Sequence, residues 1–170
     1  ATYCIDEFTI DTVLNGGDFE APICTEPDVQ NGFSADSVAG VYYSNGLFHL
    51  SAETAVNQAT QTNDILHVQL WGEAVFSEDY EEGQVFEIDD FDFQTCIECV
   101  ILFEGCGSDG YCDARYQGGA GELTIETLDL QTGDIKVVLR DAKFVQVYQD
   151  GDASIIMNDG AGWCMDEIEI

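Results

Sequence analysis

Seven cysteines are the residues of this 170-residue chain best equipped for chemistry: Cys4, Cys24, Cys96, Cys99, Cys106, Cys112 and Cys164. Four of them form a C-x2-C-x6-C-x5-C run. Zinc prefers two tightly spaced knuckles, but the second pair here is spread by five residues and no histidine lies nearby. A redox-active C-x-x-C ordinarily opens a helix, whose N-terminus depresses the thiol pKa. Here Cys99 runs straight into Val100-Ile101-Leu102-Phe103, a strand-like sequence. Structural disulfides are the remaining chemistry, each closed loop contributing roughly 2–4 kcal/mol. Spacing alone does not fix their connectivity. Seven is odd, so one cysteine is left either to bridge two molecules or to stay a buried thiol.

Carboxylates are the second candidate. Asp89, Asp90 and Asp92 crowd one segment, and Asp109, Asp150 and Asp152 sit beside glycines. Calcium takes six to eight oxygens, commonly from loops of this composition, so calcium is the cofactor these residues would hold. No complete EF-hand loop is present. Paired carboxylates could equally serve glycoside hydrolysis, but among 34 acidic residues some pair always fits. His49 and His67 lie mid-strand among apolar neighbours and read as sheet histidines. No Ser-His-Asp order, phosphate loop or dinucleotide fingerprint occurs. Trp71, Trp163 and the tyrosines suit either a sugar-stacking platform or a core. The chain is expected not to be an enzyme.

Charge limits the partners. Thirty-four acids against four bases give a net charge of −30. Spread over a sphere of radius ~20 Å at ~0.15 M salt, that charge carries a self-energy on the order of tens of kcal/mol. Net stabilities are only about 5–15 kcal/mol. The fold therefore calls for high salt, bound divalent cations or covalent reinforcement. Nucleic acid and anionic membrane surfaces are excluded, because no basic patch exists to meet them. No apolar run approaches the eighteen or so residues of a membrane-spanning helix, so no membrane insertion is expected. The cysteine content predicts an oxidising address, secreted or at the cell surface. A first residue of Ala rather than Met is what removal of a signal peptide would leave.

These residues must be positioned by strands. The hydrophobic fraction of 45% marks a globular chain, and its length suits one domain over 1–170. Predicted strands cover 3–14, 65–76, 84–88, 98–103, 153–157 and 163–170. A hairpin over 41–50 turns at Asn45-Gly46, read as a two-residue type I′ turn. A second joins 122–130 to 134–148, and its first arm swaps faces near Thr127, which predicts a bulge. Residues 15–37, holding both prolines, read as a long loop tied down by Cys24. About nine to ten strands spaced by Gly, Asn and Asp predict an all-β fold, an antiparallel β-sandwich or jelly roll reinforced by disulfides.

The two ends share a pattern. Tyr3-Cys4-Ile5-Asp6-Glu7-Phe8-Thr9-Ile10 and Trp163-Cys164-Met165-Asp166-Glu167-Ile168-Glu169-Ile170 both read aromatic, Cys, apolar, Asp, Glu, apolar, any, Ile. One reading pairs them within a molecule through a Cys4–Cys164 bridge. The other lays the first strand of one copy beside the last strand of the next, with Tyr3, Ile5, Phe8, Ile10, Trp163, Ile168 and Ile170 as joining residues.

The run from Cys96 to Cys106, then Cys112, Tyr116, Gly119-Ala120-Gly121-Glu122-Leu123-Thr124-Ile125 and the closing Gly162-Trp163-Cys164-Met165-Asp166, resembles uncharacterised secreted cysteine-containing β-proteins of myxobacteria-like bacteria. The likeness covers mainly the C-terminal half. It implies export and a β fold, and it assigns no functional residue. The resulting expectation is an exported, self-assembling structural protein, a subunit of a fibre, coat or adhesive layer. The alternative is a monomeric calcium- or carbohydrate-binding module.

Overall fold

A computed structural model describes residues 22–26, 29–43, 46–71, 79–90, 92–129, 132, 134–150, 153–157 and 160–170. Ten strands occur: β1 (Val29–Asn31), β2 (Ser37–Tyr42), β3 (Phe48–Glu53), β4 (Thr62–Leu70), β5 (Val85–Glu87), β6 (Glu98–Gly107), β7 (Ala114–Asp129), β8 (Asp134–Asp150), β9 (Ala153–Ile156) and β10 (Gly162–Glu169). The strand predicted over 3–14 lies outside the described residues. A short strand, β1, stands inside the segment predicted as loop.

The all-β expectation holds, but the expected sandwich or jelly roll does not appear as two separate sheets. The described strands form one mixed, mostly antiparallel open sheet in the order β1-β10-β8-β7-β6-β4-β3-β2, with β5 added to β7 and β9 to β8. Only β1 on β10 runs parallel. The reason lies in β7 and β8, which are 16 and 17 residues long and stay paired throughout, carrying the sheet around its bend. Their register slips near Gly118, Ala120 and between Ile125 and Thr127, the last being the bulge predicted there. At Gly121, within the slip between Ala120 and Glu122, φ is +124° and a Cβ would fall 2.7 Å from the Cα of Ala142, so that slip requires glycine.

The bend curls the sheet onto itself. β2 and β8 stand five places apart in strand order, about 24 Å in a flat sheet. Yet a Cβ at Gly40 of β2 would sit 3.5 Å from Ile135 Cγ2 of β8. One apolar core fills the concave side. Its residues alternate along each strand: Phe48, Leu50 and Ala52 on β3, Leu66, Val68 and Leu70 on β4, Val137 and Leu139 on β8, Trp163 and Met165 on β10. A second, small cluster lies on the opposite face, where Trp71, Phe93 and Phe103 pack on Cys96, Cys99 and Ile101.

Three disulfides lock the fold: Cys24–Cys164, Cys96–Cys99 and Cys106–Cys112. Thiol pairing thus accounts for the C-x2-C-x6-C-x5-C run. The Cys4–Cys164 bridge is overturned, because Cys164 is taken by Cys24, which anchors the segment before β1 onto β10. Cys4, the seventh, lies outside the described residues. The first hairpin also differs in detail. Tyr43 N–H donates to Leu47 O at 2.8 Å and Gly46 N–H to Tyr43 O at 2.9 Å, with Gly46 at φ +90°. That is a three-residue connection ending on a left-handed glycine, not a two-residue type I′ turn.

Candidate functional site

The predicted acidic ligands scatter. Asp89 and Asp90 line a cavity of about 150 Å³ with Glu87 and Glu98. Asp90 is already engaged, accepting from Asp92 N–H at 2.9 Å and from the Thr95 hydroxyl at 2.7 Å. Asp92 accepts from Gln94 N–H at 3.1 Å and from Ser154 N–H at 3.0 Å, pinning this loop to β9. Asp109 caps its own loop by accepting from Tyr111 N–H at 3.2 Å. Asp150 is exposed at the end of β8, and Asp152 lies outside the described residues. Among the described residues no three His, Cys, Asp or Glu side chains converge to hold a metal.

The terminal-strand residues are divided as well. Tyr3, Ile5, Phe8 and Ile10 lie outside the described residues. Trp163, Ile168 and Ile170 are buried in the main core, and β10 runs between β8 and β1. Over Gly162–Cys164 the last strand is therefore interior rather than an edge. It is also tied electrostatically. Lys136 reaches Glu126 at 2.9 Å and Glu169 at 2.8 Å, while Arg140 reaches Glu126 at 3.4 Å and Glu167 at 3.0 Å. The Lys136 ammonium, the nearer partner, holds the Glu126 carboxyl below its ordinary range. Two of the four bases in the chain are spent across this β7–β8–β10 seam.

The opposite edge is different. β2 pairs with β3 on one side, from Ser37↔Glu53 to Tyr42↔Phe48, and no described strand covers its other side. All six of its residues are exposed. Val38 and Gly40 face the concave side, because their partners Ala52 and Leu50 are buried there, yet Val38 remains 58% exposed. Val41, on the other face, is 50% exposed. The sequence around this edge carries no Asp, Glu, Lys or Arg from residue 37 to residue 52. Edge strands are ordinarily blunted by charge, proline or a bulge, and residues 37–42 hold none of these. The sequence signal for this edge was that charge-free run in a chain that is 22% charged, and strand patterning overlooked it.

On the convex face, one and two strands in from β2, the His49 and His67 rings meet edge-on at 4.5 Å, and His67 meets Phe103 at 5.2 Å. Burial, then His49 and Arg115, push His67 down to about pH 4, and burial also lowers His49. Both are sheet histidines, as their sequence setting predicts. Arg115 completes the row, its guanidinium lying over Phe93 at 5.1 Å and Phe103 at 5.5 Å. It donates to Gln149 Oε1, and it makes no ion pair among the described residues. Of the proposed stacking residues, Trp163 is core and Trp71 belongs to the small cluster, whereas Tyr111 is 80% and Tyr148 50% exposed. No helix among the described residues is long and apolar enough to cross a membrane. Three disulfides point to an oxidising compartment. No protein-family model, curated protein or solved structure matches this chain.

Proposed function

We propose that the chain is an exported structural subunit that joins copies of itself by β-augmentation, and that β2 is the joining edge. The observation carrying this reading is the uncharged, exposed edge of β2 within a chain of net charge −30. Two such molecules repel wherever acidic surface meets acidic surface, so association needs a patch where it does not. Residues 37–41 provide that patch, with no described strand on the outer side of β2 and Val38 and Val41 on its two faces. Antiparallel β2–β2 pairing about a two-fold axis would bury both valines and complete both ladders. The role is structural rather than catalytic. Secretion places it where disulfides persist, and calcium or other divalent cations would lower the repulsion between neighbouring subunits.

The test is light scattering and electron microscopy on the native chain and on an Ala39→Glu/Val41→Glu variant, with and without calcium. Both substitutions fall at exposed positions, so circular dichroism should be unchanged. The native chain is expected to be multimeric and the variant monomeric. A native chain that stays monomeric at 100 µM under every condition, or a variant that associates as well as the native chain, rules the proposal out.

A further inference from the structure

An open groove of about 460 Å³ lies at the mouth of the β6–β7 loop, between that loop and the end of β8. Its rim carries two exposed rings, Tyr111 and Tyr148. Tyr111 stands one residue before Cys112 in the loop closed by Cys106–Cys112. Its backbone is pinned on both sides, by Gly107 N–H to Tyr111 O at 2.8 Å and Tyr111 N–H to Asp109 at 3.2 Å. A backbone held in place beneath an exposed ring removes part of the ordering cost of a ligand that stacks on it. Planar polar groups share the lining: Asp113, the Arg115 guanidinium, and the amides of Gln146 and Gln149. Gln149 uses its carbonyl oxygen on Arg115 and Gln146 its own on Ala161 N–H at 3.0 Å, so each amide still has N–H to give. The Nε–H of Arg115 is buried with no acceptor among the described residues.

We infer that this groove binds an uncharged glycan chain. A sugar ring has an apolar C–H face and an edge of paired hydroxyls, which match a tyrosine ring and a planar amide, carboxylate or guanidinium respectively. Charge selects the neutral class. A polyanion is repelled by the −30 surface, while the groove lining itself, with Asp113 against Arg115, carries no net charge to draw in a cation. The groove is open rather than enclosed, so it admits part of a chain. This inference stands on residues remote from β2 in strand order and does not depend on self-assembly.

Isothermal titration of the full chain with cellohexaose, xylohexaose, mannohexaose and chitohexaose tests it, with hexagalacturonate as the charged comparator. The Ala39→Glu/Val41→Glu variant serves as a second host, so that assembly and sugar binding are read separately. At least one neutral hexasaccharide is expected to bind with Kd on the order of 10 µM to 1 mM. Tyr111→Ala and Tyr148→Ala should each weaken it about tenfold with the circular dichroism unchanged. No binding of any neutral hexasaccharide at 5 mM, preference for hexagalacturonate, or indifference to both tyrosine substitutions would each overturn it.

Discussion

The two edges of the sheet solve opposite problems. At one, β1 contributes only three residues, but Cys24–Cys164 ties its approach to β10, and Lys136 and Arg140 bind β10 to its neighbours. At the other, β2 contributes six residues, of which Ser37–Val41 show neither cross-link nor ion pair among those described. One edge is closed by bonds within the molecule, and at the other no described strand pairs with the outer side of β2. A strand's burial thus follows from which neighbour the chain supplies, not from its own apolarity, since β2 is as apolar as strands deep in the core.

Cutting the closed edge should produce the largest effect. In the loop-entropy picture, a bridge spanning 140 residues contributes about 5 kcal/mol and one spanning six about 2 kcal/mol. Urea unfolding is therefore expected to show Cys24→Ser/Cys164→Ser losing more than twice what Cys106→Ser/Cys112→Ser loses. Equal losses would mean that the closed edge is no more cross-link-dependent than the loop. At the open edge, salt is the sharper tool. Two spheres of radius ~20 Å bearing this charge repel at contact by on the order of 8 kcal/mol at ~0.15 M salt and about 2 kcal/mol at ~1 M. Because residues 37–52 carry no formal charge, the joint feels part of that difference. Sedimentation equilibrium should show association at least about a hundredfold tighter in 1 M sodium chloride. Association that weakens with salt would assign the joint to ion pairs instead.

The smallest effect concerns acid. His67 is held near pH 4 in the folded chain, below the ordinary imidazole value of 6.5. Between those values the unfolded chain takes up the proton and the folded chain does not, so this contribution is complete above pH 6.5 and is lost as the pH falls towards 4. His67→Gln should remove that slope, leaving a variant that loses less stability than the native chain from pH 6.5 to 4. The readout is the difference between their unfolding curves, since the carboxylates titrate in both. Parallel curves would show that the His67 imidazole is not held neutral in the sheet.

Much of this fold was legible in the sequence. Strand-forming runs, the face swap at Thr127 and the oxidised state of the cysteines follow from local pattern and composition, and the structure bears them out. What local pattern cannot carry is the identity of a distant partner. Cys164 pairs with Cys24 rather than Cys4 because β1 approaches β10 in parallel, a contact across more than 130 residues that no spacing rule encodes. One sheet replaces two because glycines at 118 and 121 let β7 bend without breaking. The candidate groove was half visible: its tyrosines were noted as a class, but the exposure of Tyr111 depends on a closed loop whose pairing had to be seen.

The placing of β10 between β8 and β1 also sets an order of events. The hairpins β2–β3, β3–β4 and β7–β8 join strands close in sequence and can form as soon as each is made. β1 precedes the other described strands in the sequence, yet its partner β10 follows it by more than 130 residues, so this pairing must wait until the intervening chain has been made. Among the described strand pairings, β1 on β10 is therefore the one that must wait longest. An oxidant that acts too early meets Cys24 before Cys164 has been made.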